Sequence, residues 1–213
     1  MAENKNEVAV ANNTQVIEVA NANTELASPF KSTAGFQEMF DMAKMLASSD
    51  MVPQGYQGKP MNCLIAMEQA QRMNASPLMV MQNLYVVKGK PSWSGQACSM
   101  IVNGCGLFEN VKLNYVGKEG EDSYGAYVSA VRKSDKQEIK GTTVTIAMAK
   151  GEGWLSNSKW KNMPTQMLGY RAYSFFARLY CPNALSGFST EGEYEDSQVR
   201  AKHETDNPFQ EVN

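Results

Sequence analysis

Lys159, Trp160 and Lys161 form the densest knot of chemistry-bearing side chains in the sequence, and Arg171 and Arg178 follow on what reads as one helix. Cations bracketing an indole suit a phosphate backbone with a base stacked nearby. Pro164 stands between the two groups, in a first helical turn where its missing N–H has no partner to lose. Leu168, Ala172, Phe175, Phe176 and Leu179 recur every 3–4 residues and make one apolar stripe. Arg171 and Arg178 are seven positions apart, so they lie within roughly 20° of each other around a helix. That spacing predicts stems packed beside the stripe and guanidinium groups in solvent. An amphipathic core helix with two solvated arginines fits the same pattern, and spacing alone leaves both readings open.

The elements around this helix predict an α+β domain. Ser32 and Thr33 cap a helix running to about residue 47, with Phe36, Met39, Phe40, Ala43, Leu46 and Ala47 on its buried stripe. Residues 53–60 read as a loop, and Pro60 opens a second helix to about Asn74, which Ser76-Pro77 breaks. Residues 83–87 and 91–93 flank Lys88-Gly89-Lys90 and predict a hairpin. Its tip lysines, Lys88 and Lys90, stand close to Trp93 and make a second candidate phosphate contact. Ser94 then caps a helix through Cys105 that Gly106 closes. Three alternating segments follow: Val111/Leu113/Tyr115, residues 124–131, and Thr142/Val144/Ile146/Met148. They predict a three-stranded antiparallel meander with charged turns at 117–123 and 133–140. The expected architecture is therefore an antiparallel β-sheet, hairpin plus meander, with helices packed on one face.

The run Lys159-Trp160-Lys161-x-x-Pro164-x-Gln166-Met167-Leu168-x-x-Arg171-Ala172, closed by Ala177-Arg178-Leu179, resembles the signature segment of the phage RecT/Redβ single-strand annealing proteins. In that family a Trp precedes a helix read as Pro-x-x-Met-Leu-x-x-(Lys/Arg)-Ala, and Ala-Arg-Leu ends it. Upstream, Ala70-Gln71-Arg72-Met73-Asn74-Ala75-Ser76-Pro77 and then Asn83-Leu84-Tyr85-Val86-Val87 are similar to the family's helix–(Asn/Ser)-Pro–strand passage. The Gly-rich helix after Trp93 falls in the same order. The resemblance covers roughly residues 35–196. It implies a RecT/Redβ-like annealing core, shared in outline with the eukaryotic strand-annealing rings.

The same resemblance implies ATP-independent annealing by many subunits in a ring or helical filament. The partners would be single-stranded DNA, the annealed duplex, a phage 5′→3′ exonuclease and the host single-strand binding protein, in the bacterial cytoplasm. Arg171, Arg178, Lys159 and Lys161 would neutralise phosphates, and Trp160 would stack on a base or brace the wall of the DNA track. Thr165 and Gln166 replace basic residues of some relatives, which implies a weaker grip on phosphate with Gln166 still at the interface.

Charge is partitioned along the chain. The whole carries −2, but residues 1–27 carry −3, residues 28–190 carry +6, and residues 191–213 carry −5. A basic centre between acidic ends suits a nucleic-acid binder. Residues 1–30 are expected to be disordered, 31–190 to form the annealing domain, and 191–213 to be a mobile tail that competes with DNA for the basic groove. Cys63, Cys98, Cys105 and Cys181 show no CxxC spacing, and the single histidine is His203, so no zinc constellation is expected. Free thiols and a reducing cytosol follow. The 14 methionines read as core filling or as adaptable subunit contacts. There is no Walker loop and no GxSxG elbow, and no cofactor is expected. No apolar run approaches the ~20 residues of a membrane span. Two other classes remain: a passive single-strand protector, and a Mg²⁺ nuclease using Glu191, Glu193, Glu195 and Asp196.

Overall fold

A computed structural model describes residues 31–87, 89–190 and Glu193. The predicted segment at 1–30 lies outside the described residues, as do Lys88 and, apart from Glu193, the whole predicted tail at 191–213, with Glu191, Glu195, Asp196 and His203.

The capping signals place the helices. Ser32 Oγ accepts from the Gly35 N–H at 3.0 Å and starts α1 (Thr33–Ala47), whose Met39, Ala43 and Ala47 are buried. Pro60 occupies the first turn of α2 (Pro60–Arg72). Ser76-Pro77 does break α2, but Pro77 at once opens a further helix, α3 (Pro77–Asn83), that periodicity did not reveal. Proline stops one helix and pre-sets φ for the next. The hairpin forms as β1 (Leu84–Val87) and β2 (Lys90–Trp93), antiparallel with Leu84 opposite Trp93. Ser94 Oγ accepts from the Ala97 N–H at 3.0 Å and caps α4 (Gly95–Gly104), and Gly106 adopts φ +75° just beyond it.

The strands depart from the expected single sheet. The hairpin pairs instead with β7 (Ser189–Thr190), parallel to β2, in a small separate sheet. The second sheet holds β3 (Phe108–Val116), β4 (Gly125–Arg132) and β5 (Glu138–Lys140), with β6 (Val144–Thr145) also paired to β4. The third meander strand is thus cut to two residues, because Thr145 Oγ1 accepts from the Met148 N–H at 3.2 Å and turns the chain into α5 (Ile146–Gly151). A Thr side chain offers the backbone a cap that competes with the ladder. The 133–140 stretch, expected as a turn, contains β5 with only Ile139 buried. One apolar position gives no period to read.

A 3-10 turn (Trp154–Ser156), the short helix α6 (Ser158–Asn162) and α7 (Pro164–Tyr180) follow, and a 3-10 turn at Pro182–Leu185 leads to β7. The axis of the fold is α7. Against the larger sheet, Phe176 meets Phe108 edge-on with ring centroids 5.2 Å apart, and a Cβ on Gly169 would stand 2.9 Å from Leu113. Against α4 the approach is closer still: a Cβ on Gly95 would fall 2.7 Å from the Cβ of Tyr170. Only glycine lets these two helices meet at that distance. Trp154, 6.4 Å from Phe175, covers a third side. Burying Leu168 and Phe176 in this way contributes about 1.5–3 kcal/mol each.

Two long-range hydrogen bonds tie the hairpin in. Tyr56 donates to the Leu84 carbonyl at 2.6 Å, and the Trp93 indole donates to the Leu185 carbonyl at 3.1 Å. Burial, with a smaller contribution from Cys63, pushes the Tyr56 phenol up to about 12, so it remains a donor across the physiological range. Among the described residues no helix is long and apolar enough to cross a membrane.

Candidate nucleic-acid interface

Lys159 and Lys161 stand where the sequence puts them, exposed on α6 on either side of Trp160. Asn157 starts this five-residue helix, its Oδ1 accepting from the Lys159 N–H at 3.0 Å. Neither lysine has a carboxylate partner among the described residues. Trp160 itself is 6 % exposed, its ring centroid 5.1 Å from that of Trp154. It cannot stack on a base; it fastens the lysines to the core.

Arg171 corrects the expectation that both heads reach solvent, and Arg178 meets it only in part. Arg171 is 5 % exposed, with its guanidinium carbon 4.3 Å from the Trp154 ring centroid and 5.3 Å from that of Phe175. The cation sits in the corner between the Trp154 ring and the nearly perpendicular Phe175 ring, in the aromatic cluster that also contains Trp160. Sequence spacing put Arg171 beside the apolar stripe correctly. What it could not supply was the second layer of chain, the Trp154 turn and α6, that closes over that side. Trp154 is therefore the residue that sequence reasoning missed, and its only signal was a third indole six positions before Trp160.

Arg178 is part-buried and engaged. Its Nε donates to Glu193 Oε1 at 2.6 Å, its Nη2 donates to Glu193 Oε2, and Nη2 also donates to the Phe188 carbonyl at 2.8 Å. Glu193 Oε2 in turn accepts from the Thr190 N–H at 3.0 Å. Thr190-x-x-Glu193 is the reciprocal half of a capping box, a pattern visible in sequence but not used there. The Glu193 side chain is thus fastened to α7. With its oxygens committed, Glu193 is also a poor ligand for the Mg²⁺ of a nuclease.

Burial pushes the Glu193 carboxyl up, but the Arg178 hydrogen bond, the Thr190 N–H and the Arg178 charge outweigh it and hold it below the usual glutamate range. A carboxyl depressed in the folded state contributes stability above its unfolded pKa and loses it as pH falls through the folded value. Glu193→Gln is therefore expected to be destabilised relative to the native protein at neutral pH, with the gap closing on acidification below the usual glutamate range. Denaturant melts of both proteins across that interval check it. A gap that does not shrink would show that the clamp is not ionic.

The remaining candidates are scattered. Gln166, in the first turn of α7 just after the lysine helix, is exposed and its Nε2 donates to the Tyr170 hydroxyl at 2.6 Å. Lys90 is exposed at the start of β2. Trp93, 1 % exposed and 6.1 Å from Phe188, is a structural anchor and not a stacking platform. It is fastened to the segment that follows α7, whereas Lys159 and Lys161 stand on the segment that precedes it. A 17-residue helix spans about 25 Å, so the hairpin and the α6 lysines form separate patches. The four cysteines are free, and Cys181, at the end of α7, is pushed up to about 12 by burial and by neighbouring Cys105 and Cys98. A thiol so disfavoured as a thiolate is inert at neutral pH.

Comparison of the chain with family models, with curated proteins and with solved structures found no match.

Proposed function

We propose that the protein binds single-stranded DNA and anneals complementary strands without ATP, as the resemblance to the RecT/Redβ proteins implies. The observation that carries this reading is the pair Lys159 and Lys161. Both are exposed and lack a carboxylate partner among the described residues, on a helix immobilised by the Trp154–Arg171–Phe175 cluster. Fixed cations neutralise phosphates and release the counterions condensed on them, a gain that needs no base contact. Base edges stay exposed, so a complementary strand supplies the sequence specificity.

Trp160 acts as the wall brace, Gln166 as a polar neighbour of the track, and Lys90, together with Lys88, as an outer contact. Copies of the chain arranged side by side, in a ring or a helical filament, join these patches into one track. The same reading includes a phage 5′→3′ exonuclease as the source of single strands, host single-strand binding protein as a competitor or partner, and the bacterial cytoplasm as the setting. The chemistry is non-covalent.

The passive-protector reading predicts tight binding to one strand that resists pairing. Adding two complementary oligonucleotides in sequence separates the two. An annealing protein is expected to hold the strands more tightly after the complement arrives, with log affinity for the first strand falling linearly with log salt at ~0.7 per phosphate neutralised. Release of the protein on adding the complement would favour the protector, and a salt-independent affinity would remove the nucleic-acid reading altogether.

A further inference from the structure

A cleft of about 730 Å³ opens between the end of α2 and the Pro182–Leu185 turn, with Gln69, Arg72, Arg178, Asn183, Ser186 and Gly187 in its walls. Beyond Arg72 and Asn183 a second hollow of about 750 Å³ is walled by Met79, Met100 and Leu107. One limb is cationic and polar; the adjoining one is the more apolar, with Asn74 also in its wall.

The two arginines are held in the same way. Arg72 Nε donates to Glu68, whose side chain is only 6 % exposed, and Gln69 Nε2 donates to the other Glu68 oxygen at 2.7 Å. A carboxylate withdrawn from water is costly unless both oxygens are satisfied. Here they are, by groups that fix the inner edge of the Arg72 guanidinium while its side chain remains 61 % exposed. Arg178 is gripped through Nε and Nη2 by Glu193 and the Phe188 carbonyl. The terminal nitrogens of Arg72 and Nη1 of Arg178 make no hydrogen bond to any described residue. Two forks held from behind, with outer donors unspent and lining one cleft, suit a tetrahedral oxyanion.

Charge narrows the ligand. Each arginine is neutralised by its own carboxylate, so the cleft offers directed donors without an excess of positive charge. That favours an internal phosphodiester, with one negative charge, over a free or terminal phosphate, which carries more at neutral pH. The apolar hollow next to it matches the face of a base. We propose that this cleft takes one internal phosphodiester of a single strand between Arg72 and Arg178, with the adjoining base in the hollow lined by Met79, Met100 and Leu107. The proposal rests on the single-strand reading above and adds a contact that neither lysine provides.

Salt titrations of a labelled oligonucleotide on the full chain test it. Arg72→Met is expected to weaken binding about tenfold at low salt and to lower the salt slope by ~0.7. Because that variant leaves Glu68 buried without its cation, Glu68→Met/Arg72→Met, which removes the net-neutral pair together, is measured beside it and should weaken binding by a similar factor, with little change of slope, in a stable protein. Met100→Ala is expected to weaken binding with the slope unchanged, as a base contact must. Wild-type affinities in both Arg72 variants would overturn the proposal, as would displacement of the oligonucleotide by inorganic phosphate at equal phosphate concentration. If Lys159→Ala/Lys161→Ala weakens binding while the Arg72 variants do not, this cleft alone fails. If none of them does, the single-strand reading fails with it.

Discussion

Replacing Lys159 and Lys161 together by alanine is expected to lower single-strand affinity on the order of a hundredfold at low salt. The slope of log affinity against log salt should fall by ~1.4, two phosphates at ~0.7 each. The expectation is sharp because nothing else depends on these side chains. Both are exposed, and neither has an ion-pair partner among the described residues. The folded state should therefore lose no more than about 0.5 kcal/mol, the usual range for surface changes away from a cap or core. Annealing should fall in parallel with binding, since pairing on the protein requires the first strand to be held. Charge-retaining Lys→Arg changes at both positions should keep the slope. A double alanine variant that folds normally and keeps the native salt slope would place the DNA contact elsewhere on the molecule and remove the observation on which the functional reading stands.

The helices were legible because their ends are written in local chemistry. Ser32, Pro60, Ser94 and Pro164 each act within one turn of where they stand, and the structure puts a helix start at every one. The hairpin was legible for the same reason, as Gly89 takes φ +81° between two short strands. What failed was longer in range. The chain's choice at Thr145 between continuing a strand and capping a helix depends on a competition that alternation alone does not weigh. The pairing of β7 with β2 joins residues nearly a hundred positions apart and leaves no period in the sequence. At the site, residue types were read more reliably than exposures. Lysines stayed in solvent, but Arg171, Trp160 and Trp93 were drawn inward by partners that no spacing rule connects to them.

Arg171→Ala is where the sequence reading and the structural one predict opposite results. If Arg171 held a phosphate from solvent, its removal would leave a stable protein and lower the salt slope by ~0.7. Its guanidinium instead lies over Trp154 and against Phe175, so the variant loses two cation–π contacts and leaves a cavity in a packed aromatic layer. The expected cost is about 2–4 kcal/mol of folding stability, with the salt slope unchanged under conditions where the variant is folded. Binding should weaken only through looser placement of α6, because Trp160 would keep Trp154 as a neighbour but lose the layer beneath it. Arg171→Lys should not restore stability, since a compact, strongly hydrated ammonium offers no planar face to the rings and is costlier to bury. Arg171→Met fills much of the same volume and should recover part of the stability without any charge. Stability and slope measured on the three variants separate the alternatives. A stable Arg171→Ala protein with a reduced slope would show that this arginine reaches the strand; a destabilised one with the native slope, partly rescued by methionine and not by lysine, would show that it works from inside, holding in place the helix that carries the lysines.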